Sequence, residues 1–276
     1  MAFIDNQLLQ FKQLIEDSII TGGAKGKESI IRSSGLINLI HDAVKYEFIQ
    51  AGVKGNNIYP HFGDTKPELK MAGFLKQKYQ DVCIVPSNIR KVSTTINWGP
   101  LAFESKNDPY GFDYSTNTLV INVRSQMSSL AKNSDTLFER TFAEALNLHI
   151  RYPDIVLGEV YLIPVHEYDD DMVKHNQVGF RARQTNIEKY ISFFNSINNR
   201  PTGGEDYAYE RCALLVVDFN RKQPYLFRNS EELKRDGYIS PSFDIEYASL
   251  NFHDFVDDIL DIYSERHSIQ NLMEQR

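Results

Sequence analysis

Two strongly apolar runs, Leu119-Val120-Ile121 and VLGEVYLIPV at 156–165, bracket a stretch that reads as an amphipathic helix over about 135–150. This succession constrains the fold more than any other feature. Short continuous apolar runs read as buried strands. With a helix between them, they call for a sheet whose faces are covered by helices. RCALLVVDF at 211–219 adds a further core strand. The expected fold class is α/β, a mixed central sheet flanked by helices.

The remaining segments fit around that core. Phe3, Ile4, Leu8, Leu9, Phe11, Leu14 and Ile15 recur at helical spacing over 2–20. TGGAKGKES (21–29) is expected to break this helix as a flexible basic loop able to touch phosphate. It lacks the GxxxxGK[ST] spacing, and no strand precedes it, so it is not read as a nucleotide loop. A second helix is expected over about 29–51, closed by Gly52 and Gly55. KMAGFLKQKYQDVCIVPSN (70–88) reads as a strand, a polar turn and a second strand, Val82–Val85, ended by Pro86. WGPLAFESK (98–106) reads as a short strand before the turn-rich NDPYGFDYSTN. HEYDDDMVKHNQ reads as a polar loop, with Asp169-Asp170-Asp171 as a solvated face or a helix start. Helices are expected over 185–198, at SEELKRDGY up to Gly237, and across NFHDFVDDILDIYSER. No internal repeat or linker interrupts the chain, so residues 1–276 are read as a single domain.

Composition sets the limits. The chain has 276 residues, 42% hydrophobic and 24% charged, ordinary values that allow a substantial core. A net charge of −7 weighs against a non-specific nucleic-acid binder, which shows a basic excess. It leaves room for a locally basic cleft. Cys83 and Cys212 lie inside apolar runs and read as buried, reduced core thiols rather than a metal knuckle. The first residues, MAFIDNQLLQ, show no basic region followed by an apolar core, and no apolar run approaches ~18 residues. A cytoplasmic protein without membrane association is expected.

The chemistry concentrates where the core strand turns polar. Asn122, Arg124 and Gln126 alternate along it and share one face. Asp81 stands just before the apolar strand Val82–Val85, at a place where a sheet opens to solvent. In the following helix Glu144 returns near Glu139-Arg140. Each residue alone has a structural reading as a capping amide or a surface charge. Three polar side chains in phase at a strand end require water, a ligand or partners. Carboxylates there suit a hard divalent cation, next to a cationic group that steadies phosphate.

The order helix, strand with Asp, strand with a polar end, helix, strand resembles the PD-(D/E)xK core of type II restriction endonucleases. KQKYQDV and INVRSQMSSLAKNSDTLFERTFAEALNLH carry the resemblance, which covers about residues 28–165. It implies a restriction-endonuclease-like core, with elements for DNA recognition and dimerisation at about 1–27 and 166–276. It further implies site-specific, Mg2+-dependent cleavage of double-stranded DNA by a homodimer. In that pattern Asp81 holds metal. Where ExK is expected the strand offers Asn122-Val123-Arg124, so the second acid would be Glu139 from the next helix, with Arg124 acting on phosphate charge because arginine does not readily give up a proton. A literal ExK, Glu104-Ser105-Lys106, is the alternative source of the second metal-holding acid and the lysine. Asn122, Gln126 and Arg140 would face DNA. Arg181 and Arg183, near Gln177, Gln184, Asn186 and Lys189, would read base edges. Two other functions stand beside this one: a catalytically inactive DNA-binding module, motivated by the missing acid, and an unrelated α/β small-molecule enzyme, motivated by the acidic charge. His149, His166 and His175 are too scattered for a simple ligand pair, and Ser125, Ser128 and Ser129 lack a partnering His or Asp pattern.

Overall fold

A computed structural model describes residues 2–274. Two helices open the chain, α1 (Phe3–Arg32) and α2 (Ser34–Gln50), followed by strand β1 (Ile58–Tyr59). A hairpin, β2 (Lys70–Ala72) and β3 (Gln77–Tyr79), precedes β4 (Val82–Ile84). Next come β5 (Thr94–Thr95), the short helix α3 (Pro100–Phe103), β6 (Asn107–Asp108) and α4 (Phe112–Thr116). The strand β7 (Leu119–Ser125), helix α5 (Leu130–His149) and strand β8 (Val156–Pro164) form the centre. The second half adds β9 (His166–Tyr168), α6 (Asp170–Lys174), β10 (Phe180–Gln184), α7 (Ile187–Ser196) and β11 (Arg211–Asp218). It closes with β12 (Tyr225–Leu226), α8 (Ser230–Arg235) and α9 (Phe255–Arg266).

The central sheet has six strands in the order β1-β4-β7-β8-β11-β12. β7, β8 and β11 run parallel, and the pairs toward both edges are antiparallel. The sheet is therefore mixed, with helices on both faces. Strand periodicity divides the side chains. Leu119, Ile121, Val123, Val160 and Leu162 pack with residues of α1, α2 and α9. Val120, Leu157, Tyr161, Ile163 and Cys212 pack with residues of α5 and α7. Because both faces of β8 are covered, all nine of its residues are buried, which explains its unbroken apolar reading. Gly158 has a packing reason: a Cβ there would lie within 2.6–2.9 Å of Ile121, Phe255 and Ile259, so its absence lets α9 lie on the sheet. Cys83 and Cys212 are buried free thiols, as expected.

Two local expectations are corrected, and one left open between two readings is decided. TGGAKGKES is not a loop but lies inside α1, which bends at Gly23 (φ 53°) and continues to Arg32. The glycine runs break the pattern in sequence, but Gly23 supplies the one left-handed residue and Lys27 anchors the second half, its Nζ 2.8 Å from Asp170. Lys27 is buried, so it does not serve as an exposed phosphate contact. Residues 98–106 are not a strand: Pro100 takes the first position of α3, and Ser105 has φ 52°. The acidic run at 169–171 is a helix start, with the Asp169 side chain accepting from the amides of Asp171 and Met172.

Candidate functional site

Register assembles the site. Asn122 of β7 and Glu159 of β8 are paired Cα partners. Val82 pairs with Ile121 in the antiparallel β4–β7 ladder, so Asp81 continues that register opposite Asn122. Asp81, Asn122 and Glu159 thus form one row across three strands, on the face covered by α5. In-register residues of neighbouring strands extend to the same side. The Asp81 carboxylate is fixed by Oδ2, which accepts from the Val123 amide at 2.9 Å.

Asn122 and Glu159 are deeply buried and short of partners, whereas Asp81 is half-buried. Asn122 is 1% exposed, and neither its Oδ1 nor its Nδ2 has a hydrogen-bond partner. Glu159 is 0% exposed, and neither carboxylate oxygen has a geometrically sound hydrogen bond. Its counter-charge is Arg124, whose Nε lies 3.1 Å from Oε1. The contact is close enough for an ion pair but not aligned as a hydrogen bond. Burial is the largest influence on Glu159 and pushes its pKa up to about 7; Asp81 and Glu144 add to the rise, while Arg124 and Lys78 oppose it.

Arg124 is held on three sides. Besides Glu159, its Nη1 donates to Thr141 Oγ1 at 3.4 Å and its Nη2 lies 3.8 Å from Glu144. Glu144 is also paired with Lys78 of β3. Burial works against the charge on Arg124, yet Glu159 first, then Tyr209, Glu144 and Asp81, hold its pKa above the ordinary arginine value. Arg124 and Arg140 both line a cavity of about 260 Å³ at the carboxyl end of β7, with Ser33, Ser125 and Tyr161. Arg140 is exposed. Open α/β sheets bind ligands outside the carboxyl ends of their strands, and two guanidinium groups there suit a phosphate.

The residues singled out in the sequence separate into groups. Asp81, Asn122 and Arg124 come together, and Arg140 joins Arg124 at the cavity. Glu139 is exposed on α5, without an ion pair among the described residues. Glu104 and Lys106 are exposed at the α3–β6 turn and face each other at 4.0 Å. Gln126 is buried rather than presented to a partner: its Oε1 accepts from Tyr190 at 2.9 Å and Tyr161 at 3.2 Å. Among the described residues no group of three or more His, Cys, Asp and Glu is placed to hold a metal ion. Sequence spacing does not single out Glu159 or Lys78, which the fold adds to this cluster. A single acid inside the apolar run VLGEVYLIPV was the signal for the first. A lysine three residues before Asp81 in KQKYQDV was the signal for the second.

Arg181 and Arg183 line a second cavity, of about 240 Å³, with Gln184, Asn186 and Lys189. Arg181 is paired with Glu167 and Asp170, and Lys189 with Asp135. Arg183 carries no ion pair among the described residues, so its guanidinium is an open polar group of this pocket, beside the Gln184 amide.

Comparisons with protein-family models, with curated proteins and with solved structures give no match. Among the described residues no helix is long and apolar enough to cross a membrane.

Proposed function

We propose that this chain is a Mg2+-dependent endonuclease that cuts double-stranded DNA at a specific site, acting as a homodimer. The observation that carries the reading is the row Asp81–Asn122–Glu159, with Glu159 against Arg124, which together with Arg140 lines a cavity at the carboxyl end of β7. Supporting it is the element order: helices, a strand led by Asp81, a strand with a polar end, a helix, and a parallel strand.

The donor set suits magnesium in kind. It consists of oxygens, from Asp81, from Glu159 and from the unpartnered Asn122 amide. Magnesium takes hard oxygen ligands and commonly uses only one or two carboxylates, completing its shell with water and substrate phosphate. When bound, such an ion supplies Lewis acidity at a phosphoryl oxygen and a more acidic water. The protein's own part is charge and orientation. Arg124 and Arg140 donate hydrogen bonds to the non-bridging oxygens of the scissile phosphate, where negative charge builds. Arg124 acts as a fixed cation and not as a base. Asp81 is held in place by the Val123 amide, from which its Oδ2 accepts at 2.9 Å. Arg183 and Gln184 supply base-edge contacts from the second cavity. A two-fold protein then meets a two-fold DNA site.

The test is cleavage of phage and plasmid DNA with and without magnesium, with Asp81→Ala beside the wild type. Discrete fragments that need both magnesium and Asp81 are expected. DNA binding without cutting would favour the inactive recognition module instead. The absence of both binding and cutting would overturn the nuclease reading.

A further inference from the structure

We propose that Glu159 is the second carboxylate of a divalent-cation site shared with Asp81 across Asn122, and that Arg124 is the placeholder the cation displaces from Glu159. The inference deepens the nuclease reading and rests on it for the choice of magnesium; its test needs no DNA.

Three observations lead there. First, the row has the right span. Neighbouring strands lie about 4.8 Å apart, so the Asp81 and Glu159 backbones are separated by about 10 Å. An aspartate from one side, a glutamate from the other and metal–oxygen distances of about 2.1 Å cover that gap. Second, Asn122 stands between them, 1% exposed, with both amide atoms unpartnered. Buried polar groups are nearly always satisfied, and an exception calls for an ion or water at that place. An amide oxygen is a ready ligand for a hard cation. Third, the partner of Glu159 is poorly made. Arg124 approaches with Nε at 3.1 Å but forms no aligned hydrogen bond, while its Nη1 and Nη2 face Thr141 and Glu144. A guanidinium held by its far side can leave Glu159 and keep those other contacts. Its release would direct the charge to the cavity it shares with Arg140.

The two carboxylates expected from sequence for this role lack these features. Glu139 and Glu104 are exposed, and neither belongs to the row. Lys78 and Glu144 pair with each other beside it and balance in charge, so with both carboxylates ionised the net charge of Asp81, Glu159 and Arg124 is −1 before a cation arrives.

The experiment is Mn2+ binding to the full chain without DNA, read by loss of the free-ion paramagnetic resonance signal, with competition by Mg2+. Wild type is expected to bind one ion per chain. Glu159→Gln and Asp81→Asn are expected to weaken binding at least 10-fold, while Glu139→Gln and Glu104→Gln bind as wild type. Asn122→Asp, which adds a carboxylate to the row, is expected to tighten binding by about 10-fold, so a poorly folding Glu159→Gln would not leave the outcome open. Binding also shifts the Nε–H resonance of Arg124, identified by its absence in Arg124→Lys. Wild-type affinity in Glu159→Gln, loss of binding in Glu139→Gln, no tightening in Asn122→Asp, or no ion bound at millimolar Mn2+ would each overturn the proposal. Glu159-dependent binding in a protein that cuts no DNA would sink the nuclease reading and leave this site standing. Magnesium-dependent cutting that survives Glu159→Gln would do the reverse.

Discussion

Asn122 and Glu159 are direct partners across the parallel β7–β8 pair, yet neither side chain completes a hydrogen bond. An unsatisfied buried polar group costs about 1–3 kcal/mol. Removing one should therefore stabilise the fold. Asn122→Val fits an apolar, β-branched side chain to a fully covered strand. We expect it to raise unfolding stability in urea by about 1 kcal/mol, while abolishing the proposed cleavage and cation binding. A loss of stability of the same size would show that the amide already has a structural partner.

Glu159 should make stability fall with rising pH. Its pKa moves from an ordinary 4.5 to about 7 on folding, chiefly through burial. Between those values the folded chain binds more protons than the unfolded one. The contribution is thus fully present below about pH 4.5 and is lost as pH rises through about 7. The shift corresponds to about 3 kcal/mol. Denaturant unfolding of wild type and Glu159→Gln at pH 5 and pH 8, without divalent ions, checks this. Wild type should lose about three quarters of that relative to the variant between the two pH values. Parallel pH dependences would mean that Glu159 is ionised throughout.

How much of this was legible in the sequence follows from which signals are local. The strands at 119–125, 156–164 and 211–218 stood out because sheets covered on both faces produce continuous apolar runs. Asn122 and Arg124 were visible as polar residues in phase on one of them. Their partner was not, because a parallel register pairs Asn122 with a residue 37 positions away, and nothing along the chain states that register. Glu139 and Glu104 were favoured by sequence distance; the sheet instead brings Glu159 beside the row. The TGGAKGKES stretch misled for a related reason. Its glycines break helical periodicity locally, while Asp170, far along the chain, holds Lys27 and the helix past the bend.

Arg124 should be coupled to Glu159 in a pH-dependent way. Removing one member of a buried ion pair leaves an uncompensated charge and costs about 3–5 kcal/mol, whereas replacing both with apolar or neutral groups is often close to neutral. Arg124→Met alone should then be strongly destabilising at pH 8. It should be much milder at pH 5, where Glu159 is protonated. The double variant Arg124→Met/Glu159→Gln should recover most of the loss, giving a coupling energy of about 1–3 kcal/mol in a double-mutant cycle at pH 8. Additive single effects would show that Glu144 and Thr141, not Glu159, hold the arginine.

Glu210 provides the contrast, a buried carboxylate whose bonds are complete. It accepts from Arg266 at 2.7 Å, from the Leu157 amide at 2.7 Å and from Arg200 at 3.0 Å, with His149 Nε2 at 3.3 Å. Burial opposes its charge, but His149, Arg266 and the Leu157 amide together bring its pKa below the ordinary value. Its contribution to stability is therefore present above the unfolded glutamate pKa and lost as pH falls through the lower folded value. Glu210→Gln should leave Arg200 and Arg266 without their shared anion, costing about 3–5 kcal/mol at pH 7. The penalty should shrink on acidification, opposite in direction to the pH trend set by Glu159. Because Glu210 ties the Arg200 loop and α9 to the start of β8 and bonds none of Asp81, Asn122 and Glu159, the variant should keep its Mn2+ affinity wherever it remains folded. Unfolding curves from pH 3 to pH 7, with ion binding measured on the folded fraction, test both halves. Loss of ion binding in folded Glu210→Gln would mean that the two buried carboxylates of this sheet act as one site.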